Sequence, residues 1–400
     1  MSVFSEYKKE IMDAAHNDRI RLALSRAIGT YRKNRNNALE KFPHTIKMAE
    51  EVREMKVKAI GMMEELAQQA CEAIESNKGK AYIARTADDA LKIIDDLVGK
   101  DKLIVKAKSM TSEEIGVREH LEEQGNEVFE TDLGEFIIQK LGQKPMHILS
   151  PSIHVPKEDV AELFSKITGE DIPSDDIEMM VATARKLLRE KFFEADVGMS
   201  GANVVAADTG TLFLIENEGN IRLATGAPPV HIALVGMEKL VPTLNDAYKV
   251  SEVTWRYANY TVPSYVSMIS GPSKTGDIEK VITYGAHGPK EFHVIFLDDG
   301  RTKLADDPIL RQILYCLRCG ACLYECPVFA LTAGHFGDKY FAGVGAVWAA
   351  TISQDKEKAA SIAYTCLTCG RCKEKCPVEI DTPEMIVELR RQMAADELLS

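Results

Sequence analysis

Apolar residues recur at helical spacing from Glu6 to about Asn77: Ile11, Ala14 and Ala15, then Ile20, Leu22 and Leu24, then Met48, Val52 and Met55, with charges between them. Pro43 interrupts this stretch and Asn77-Lys78-Gly79 ends it, which predicts a helical N-terminal arm over residues 1–78. From Lys80 to Leu297 the period changes. The short apolar runs AYIA, LIVKA, EVFET and MHILSP alternate with the helical runs DDALKIIDDLV and SEEIGVREHLEEQG, as β-α-β units and a largely parallel sheet require. After the helical DDIEMMVATARKLLREKFFEA come more strand-like runs: ANVVAAD, TLFLIEN, HIALVGM and EFHVIFLDD. This pattern predicts an α/β domain at 79–298, a linker at 299–308, and a module of helices and tight loops at 309–400 with a last helix starting at Thr382-Pro383.

Charge narrows the functions open to such a chain. A net charge of -12 opposes a general role on nucleic acid or anionic membrane. The cluster Arg19, Arg21, Arg26, Arg32, Lys33 and Arg35 reads as a solvated helix face. The first residues lack the cationic start and apolar core of a secretory signal. The weakly polar run Phe341 to Ile352 is far shorter than the roughly 20 residues that span a bilayer. We therefore expect a cytoplasmic protein with no transmembrane segment and no nucleic-acid partner.

Cysteine spacing supplies the chemistry. Cys316, Cys319, Cys322 and Cys326 follow C-x2-C-x2-C-x3-C with Pro327 next, and Cys366, Cys369, Cys372 and Cys376 repeat the pattern before Pro377. Zinc knuckles use paired C-x2-C and need neither a third evenly spaced cysteine nor a trailing proline. In two-cluster ferredoxin modules the first three cysteines hold one [4Fe-4S] cluster and the fourth ligates the other. The expected sets are Cys316, Cys319, Cys322 with Cys376, and Cys366, Cys369, Cys372 with Cys326. Helix-like KEKAASIAY between the motifs favours a helical ferredoxin layout. Gly320 and Gly370, each two residues before a third ligand, permit a tight turn. Cys71, alone on a helical stretch, reads as a small buried hydrophobe.

No flavin or nicotinamide fingerprint is found; GVGAVW at Gly343 fails the last glycine of G-x-G-x-x-G and follows no strand. Other polar groups are candidates for a ligand site. Lys106 to Glu114 (KAKSMTSEE) joins a strand to a helix through Ser109, Thr111 and Ser112, with Glu114 placed to complete a cap. Lys106 and Lys108 there would favour a carboxylate or phosphate, while plain helix capping is an equal reading. Ser270 to Thr275 offers hydroxyls, with Ser273 beside the cation of Lys274, but not P-loop spacing. Asn203, Thr209, Glu218, Asn220, Arg222 and His231 either converge on a small acid or satisfy buried backbone groups.

The runs KAKSMTSEEIGVREHLEEQGNEVFETDLGEFIIQ, GANVVAADTGTLFLIENEGN, PPVHIALVGMEKLVPTL and SGPSKTGDIE, with the paired cysteine motifs, together resemble the lactate-utilisation iron–sulfur subunit family. The resemblance implies an α/β LUD domain similar to the sugar-isomerase and CoA-transferase superfamily, preceded by the helical arm and followed by a mostly α-helical two-cluster ferredoxin domain. It implies two [4Fe-4S] clusters on the eight motif cysteines and an electron-transfer subunit of a complex oxidising a 2-hydroxy acid, L-lactate to pyruvate. The partners it implies are an iron–sulfur subunit with cysteine-rich CCG domains, a second LUD subunit, and a flavoprotein or other electron carrier. Such partners would place the complex at the inner face of the membrane. It supplies no catalytic residue within the LUD domain. Two rival readings are a relay in another redox complex with a heterodisulfide-reductase-like CCG partner, and a non-redox LUD ligand-binding protein with structural clusters.

Overall fold

A computed structural model describes residues 3–395. Strands follow in the order β1 (Lys80–Ala84), β2 (Leu103–Lys106), β3 (Glu127–Glu130), β4 (Val197–Ser200), β5 (Val204–Ala206), β6 (Thr211–Glu216), β7 (Val230–Gly236), β8 (Leu240–Val241), β9 (Tyr265–Ile269), β10 (Lys274–Thr275), β11 (Thr283–Tyr284) and β12 (Glu291–Leu297). Six form a parallel sheet ordered β1-β12-β7-β4-β2-β3. Its central strands β7 and β12 are buried along almost their whole length, which is why HIALVG and FHVIFL are continuous apolar runs rather than alternating ones. From β2 the chain steps to β3 on one side and then returns as β4 on the other. The strand order thus reverses between β2 and β4, the place where open α/β sheets leave a crevice beyond the strand ends. A second sheet, β8-β5-β6-β9, stands beside the first.

The helices Val3–Ala15, Asp18–Lys41, His44–Ile60 and Met63–Ser76 match the N-terminal periodicity. They are not a free arm. Leu24, Val52, Leu66 and Ile74 belong to one continuous core that also holds Val205 and Leu212 of the second sheet and Phe329, Val347 and Ile362 of the cysteine module. The Arg19 to Arg35 cluster is accordingly not all solvated. Arg35 is buried and pairs with Glu325 at 2.8 Å, with Arg32 at 3.4 Å from the same carboxylate, because Glu325 ends the short helix Ala321–Glu325 that lies against the helix Asp18–Lys41.

Two local expectations fail. MHILSP, expected as a strand, is irregular from Met146 to Ser150. His147 is buried here: its Nδ1 accepts from Leu149 N and Ser150 N while its ring stacks on Tyr324 at 5.7 Å, which holds the segment against the cysteine module and not in a sheet. The single helix expected after Lys108 is two, Met110–Glu114 and Val117–Glu123, divided by Gly116 at φ 63°. Ser109 caps the first by accepting from Ser112 N, but Glu114 turns away from the cap toward Arg301 and Tyr340. Beyond β12 the described chain is helical, with Ala342–Thr351, Lys356–Thr365 and Thr382–Ala395 as its longest elements. No helix among the described residues is long and apolar enough to cross a membrane.

Candidate functional site

The two cysteine motifs fold into loops that share an interior. Gly320 and Gly370, at φ 76° and 82°, each open a short helical turn that carries the third cysteine inward. One cavity is lined by Cys316, Cys319, Cys322 and Cys376, with Cys372 also reaching it. The other is lined by Cys366, Cys369, Cys372 and Cys326, with Cys322 at its edge. Their volumes, ≈ 40 and ≈ 30 Å³, exceed the roughly 10–15 Å³ a single water needs. Their walls, apart from the thiols, are mostly Ile148, Val344, Phe341, Val378 and similar apolar groups, which give a water few partners. Gly343 keeps the second cavity open, since a Cβ there would stand 3.3 Å from Cys366 Sγ and 2.7 Å from the Thr382 methyl.

Backbone N–H groups point at the sulfurs: Arg318 N lies 3.4 Å from Cys316 Sγ and Phe329 N 3.5 Å from Cys326 Sγ. Burial pushes the thiols up, Cys326 to about 11, Cys376 to about 12 and Cys319 and Cys322 higher. Such thiols give up their protons only to a metal that replaces the charge, so these residues fit iron–sulfur ligands and not free nucleophiles. Cys71 is half-buried on its helix and pushed up to about 11, first by burial, in keeping with a small hydrophobe.

Behind the first cavity lies a buried ionic network. Glu238, fully buried, accepts from Arg301 and, at 2.6 Å, from Arg318, while its backbone carbonyl accepts from Lys56. Arg301 also pairs with Glu114, whose other oxygen takes the Tyr340 hydroxyl at 2.6 Å. Arg318 further donates to the Cys316 carbonyl at 2.7 Å and lies 4.5 Å from the Trp348 ring centre. The guanidinium groups hold the Glu238 carboxyl well below its usual range against the opposing effect of burial.

A third, larger cavity of ≈ 250 Å³ opens at the β2/β4 switch point and shares Ile148, Cys316, Leu317 and Arg318 with the first cysteine cavity. Among the polar residues singled out above, Lys108, Ser109, Asn203, Glu218 and Asn220 line it together. Lys108 is already paired with Glu135 at 3.0 Å, and Lys106 is held away by Glu113 and Glu130, both at 2.8 Å. Asn203 accepts from Ile215 N at 2.9 Å. Glu218 is exposed on the cavity wall, where partial desolvation and the neighbouring Asp132 push its carboxyl up to about 7.

The remaining candidates lie elsewhere. Arg222, His231 and Ser273 line a separate shallow cleft, where His231 Nε2 and Ser200 Oγ are 2.8 Å apart and Arg222 stacks over Tyr265. Thr209 bonds the Thr211 hydroxyl at 2.8 Å, and Lys274 is exposed on β10. Sequence reasoning missed Lys239, Trp255 and Arg318 as wall residues of the main cavity. Only Arg318 left a trace, an arginine between two cysteines where the second motif has Thr368.

Comparison with known proteins fits this architecture. Residues 67–297 match the LUD domain family and residues 312–380 a 4Fe-4S dicluster domain. Lactate utilization protein B of Bacillus velezensis is 33% identical over 396 residues, covering 98% of this chain and 81% of that protein. Its Bacillus subtilis counterpart is 33% identical over 396 residues, covering 98% and 80%. A protein of Escherichia coli described as an uncharacterized electron transport protein, YkgF, is 31% identical over 394 residues, covering 98% and 81%. With an α/β LUD domain followed by a helical dicluster module across nearly its whole length, the chain belongs to the lactate utilization protein B family of LUD-domain iron–sulfur proteins.

Proposed function

We propose that the chain is the iron–sulfur electron-transfer subunit of a complex that oxidises a 2-hydroxy acid, L-lactate in the first instance, and that it holds two [4Fe-4S] clusters with crossed ligands. The observation that carries this reading is the composition of the two cysteine cavities. Each gathers three cysteines of one motif and the fourth of the other, with Cys322 and Cys372 on the shared boundary. The thiols surround these cavities and do not meet at a point. Among the described residues no three His, Cys, Asp or Glu groups come together as a single metal ion needs. Such clusters take up and release one electron at a time. The protein's part is to hold them a short distance apart in an apolar setting, with amide N–H groups directed at sulfur.

The names of the relatives support lactate utilisation as the setting. A CCG-domain iron–sulfur subunit, a second LUD subunit and a flavoprotein or other carrier are the partners this reading calls for. Anaerobic purification should give about eight irons per chain and two reduced [4Fe-4S] signals by EPR; zinc in place of iron would overturn the reading. Cys326→Ser should perturb the cluster held by the second motif. A change confined to the first cluster would refute the crossed ligation.

A further inference from the structure

The cavity at the β2/β4 switch point has one wall made of the first cysteine loop, through Cys316, Leu317 and Arg318. The rest comes from the carboxyl ends of β2 and β4, from the segment after β6, and from the end of the helix Leu244–Tyr257. That is where a parallel α/β sheet binds small ligands, and here it abuts a redox centre.

The hydrogen-bond inventory of its walls is unbalanced. Trp255 is 6% exposed, and its Nε1 finds no acceptor among the described residues. Arg318 Nε is buried and likewise finds none. Lys239 donates to Thr111 Oγ1 at 3.3 Å, which uses one of its three N–H groups. Buried donors without acceptors are costly, and several on one cavity wall call for an acceptor-rich guest. The carboxylates Asp132 and Glu218 on the same cavity call for a donor on that guest.

We propose that this cavity holds a small hydroxycarboxylate, its carboxylate received by Lys239, Arg318 and Trp255 and its hydroxyl by Glu218, one wall away from the first cysteine cradle. The substrate site of the complex is then on this chain. The inference builds on the electron-transfer reading above, to which it adds a place for the substrate. Glu218 is exposed on the wall of this cavity, so its carboxyl can accept a hydrogen bond from the guest's hydroxyl. Lys108 is turned to Glu135 at 3.0 Å and to the His147 carbonyl at 3.5 Å, whereas Arg318, though paired with Glu238, keeps its Nε without an acceptor among the described residues.

The test is anaerobic titration calorimetry of the cluster-loaded full chain with L-lactate, and with propionate, which lacks the hydroxyl. L-Lactate should bind at one site per chain and propionate about tenfold or more weaker. Trp255→Phe removes only the indole donor, and Glu218→Gln only the acceptor charge; each should weaken L-lactate about tenfold with the EPR spectrum of the reduced clusters unchanged. Absence of lactate binding, equal binding of propionate, or wild-type affinity in both variants would overturn the proposal. Iron content and cluster EPR, read on the same samples, decide the electron-transfer reading separately. If the clusters are intact and reducible while lactate fails to bind, only the cavity assignment falls.

Discussion

The two cysteine motifs have the same spacing and opposite surroundings. At equivalent positions the first has Leu317 at 8% exposure and the second Leu367 at 62%. Cys319 is buried where Cys369 is exposed, and Ala321 is buried where Arg371 faces solvent. Arg318 reaches into the Glu238 network, while the Thr368 hydroxyl in its place donates to the neighbouring Leu367 carbonyl. Spacing therefore encodes which atoms can hold iron, and the residues between the cysteines encode what the iron feels. The first motif faces the LUD domain and a dense set of buried charges. The second faces water, with Arg371 and Lys375 exposed beside it.

The most severe way to break this asymmetry is Arg301→Met. It strips Glu114 and Glu238 of a shared buried partner and should cost about 3–5 kcal/mol in urea unfolding. Next, Arg318→Gln should lower the potential of the first cluster in an EPR redox titration. Arg371→Gln should lower that of the second severalfold less, because solvent screens the exposed charge. Equal shifts would mean that the two environments do not differ electrically.

Weaker effects sharpen the comparison. Arg371→Glu with Lys375→Glu should slow electron delivery to the anionic acceptor ferricyanide about tenfold at low salt. The difference should vanish at high salt, with stability changed by less than about 0.5 kcal/mol. The smallest effect concerns pH. The folded-state pKa of Glu218 is raised from 4.5 to about 7, so the folded state holds its proton longer than the unfolded chain does. Stability from this group is then present at low pH and lost as pH rises through that window. Relative to wild type, Glu218→Gln should gain melting temperature progressively between about pH 4.5 and 7.

The parts of this molecule that are local in sequence were legible there. Eight cysteines in two short runs and the alternation of apolar runs from β1 to β12 carry their meaning within a few residues. The main cavity was half legible: Ser109, Asn203, Glu218 and Asn220 stand out as polar groups at strand ends, where ligand sites form. Lys239 and Trp255 did not, since a lysine after a strand and an aromatic on an amphipathic helix look like ordinary surface and core. The Glu238, Arg301 and Arg318 network joins residues 63 and 80 positions apart, and no periodicity marks such a pairing. MHILSP misled because its apolar content imitates a strand, although it serves to pack His147 against Tyr324 and Phe329 of the cysteine module.

The interleaving of the N-terminal helices with the cysteine module also sets an order of events during synthesis. Arg35 meets Glu325 across 290 residues, and the Val3–Ala15 helix lies against elements of the last hundred, with Glu10 bonding His335. A ribosome releases these helices long before their counterparts exist, so their apolar faces must wait, shielded or loosely collapsed. The cradles are complete only once the helix Thr382–Ala395 has emerged, since Thr382 lines both of them. Iron delivery therefore follows synthesis of the second cysteine motif, and a chain interrupted after its LUD domain would leave the helix Val3–Ala15 without the elements it packs against as well as losing its metal.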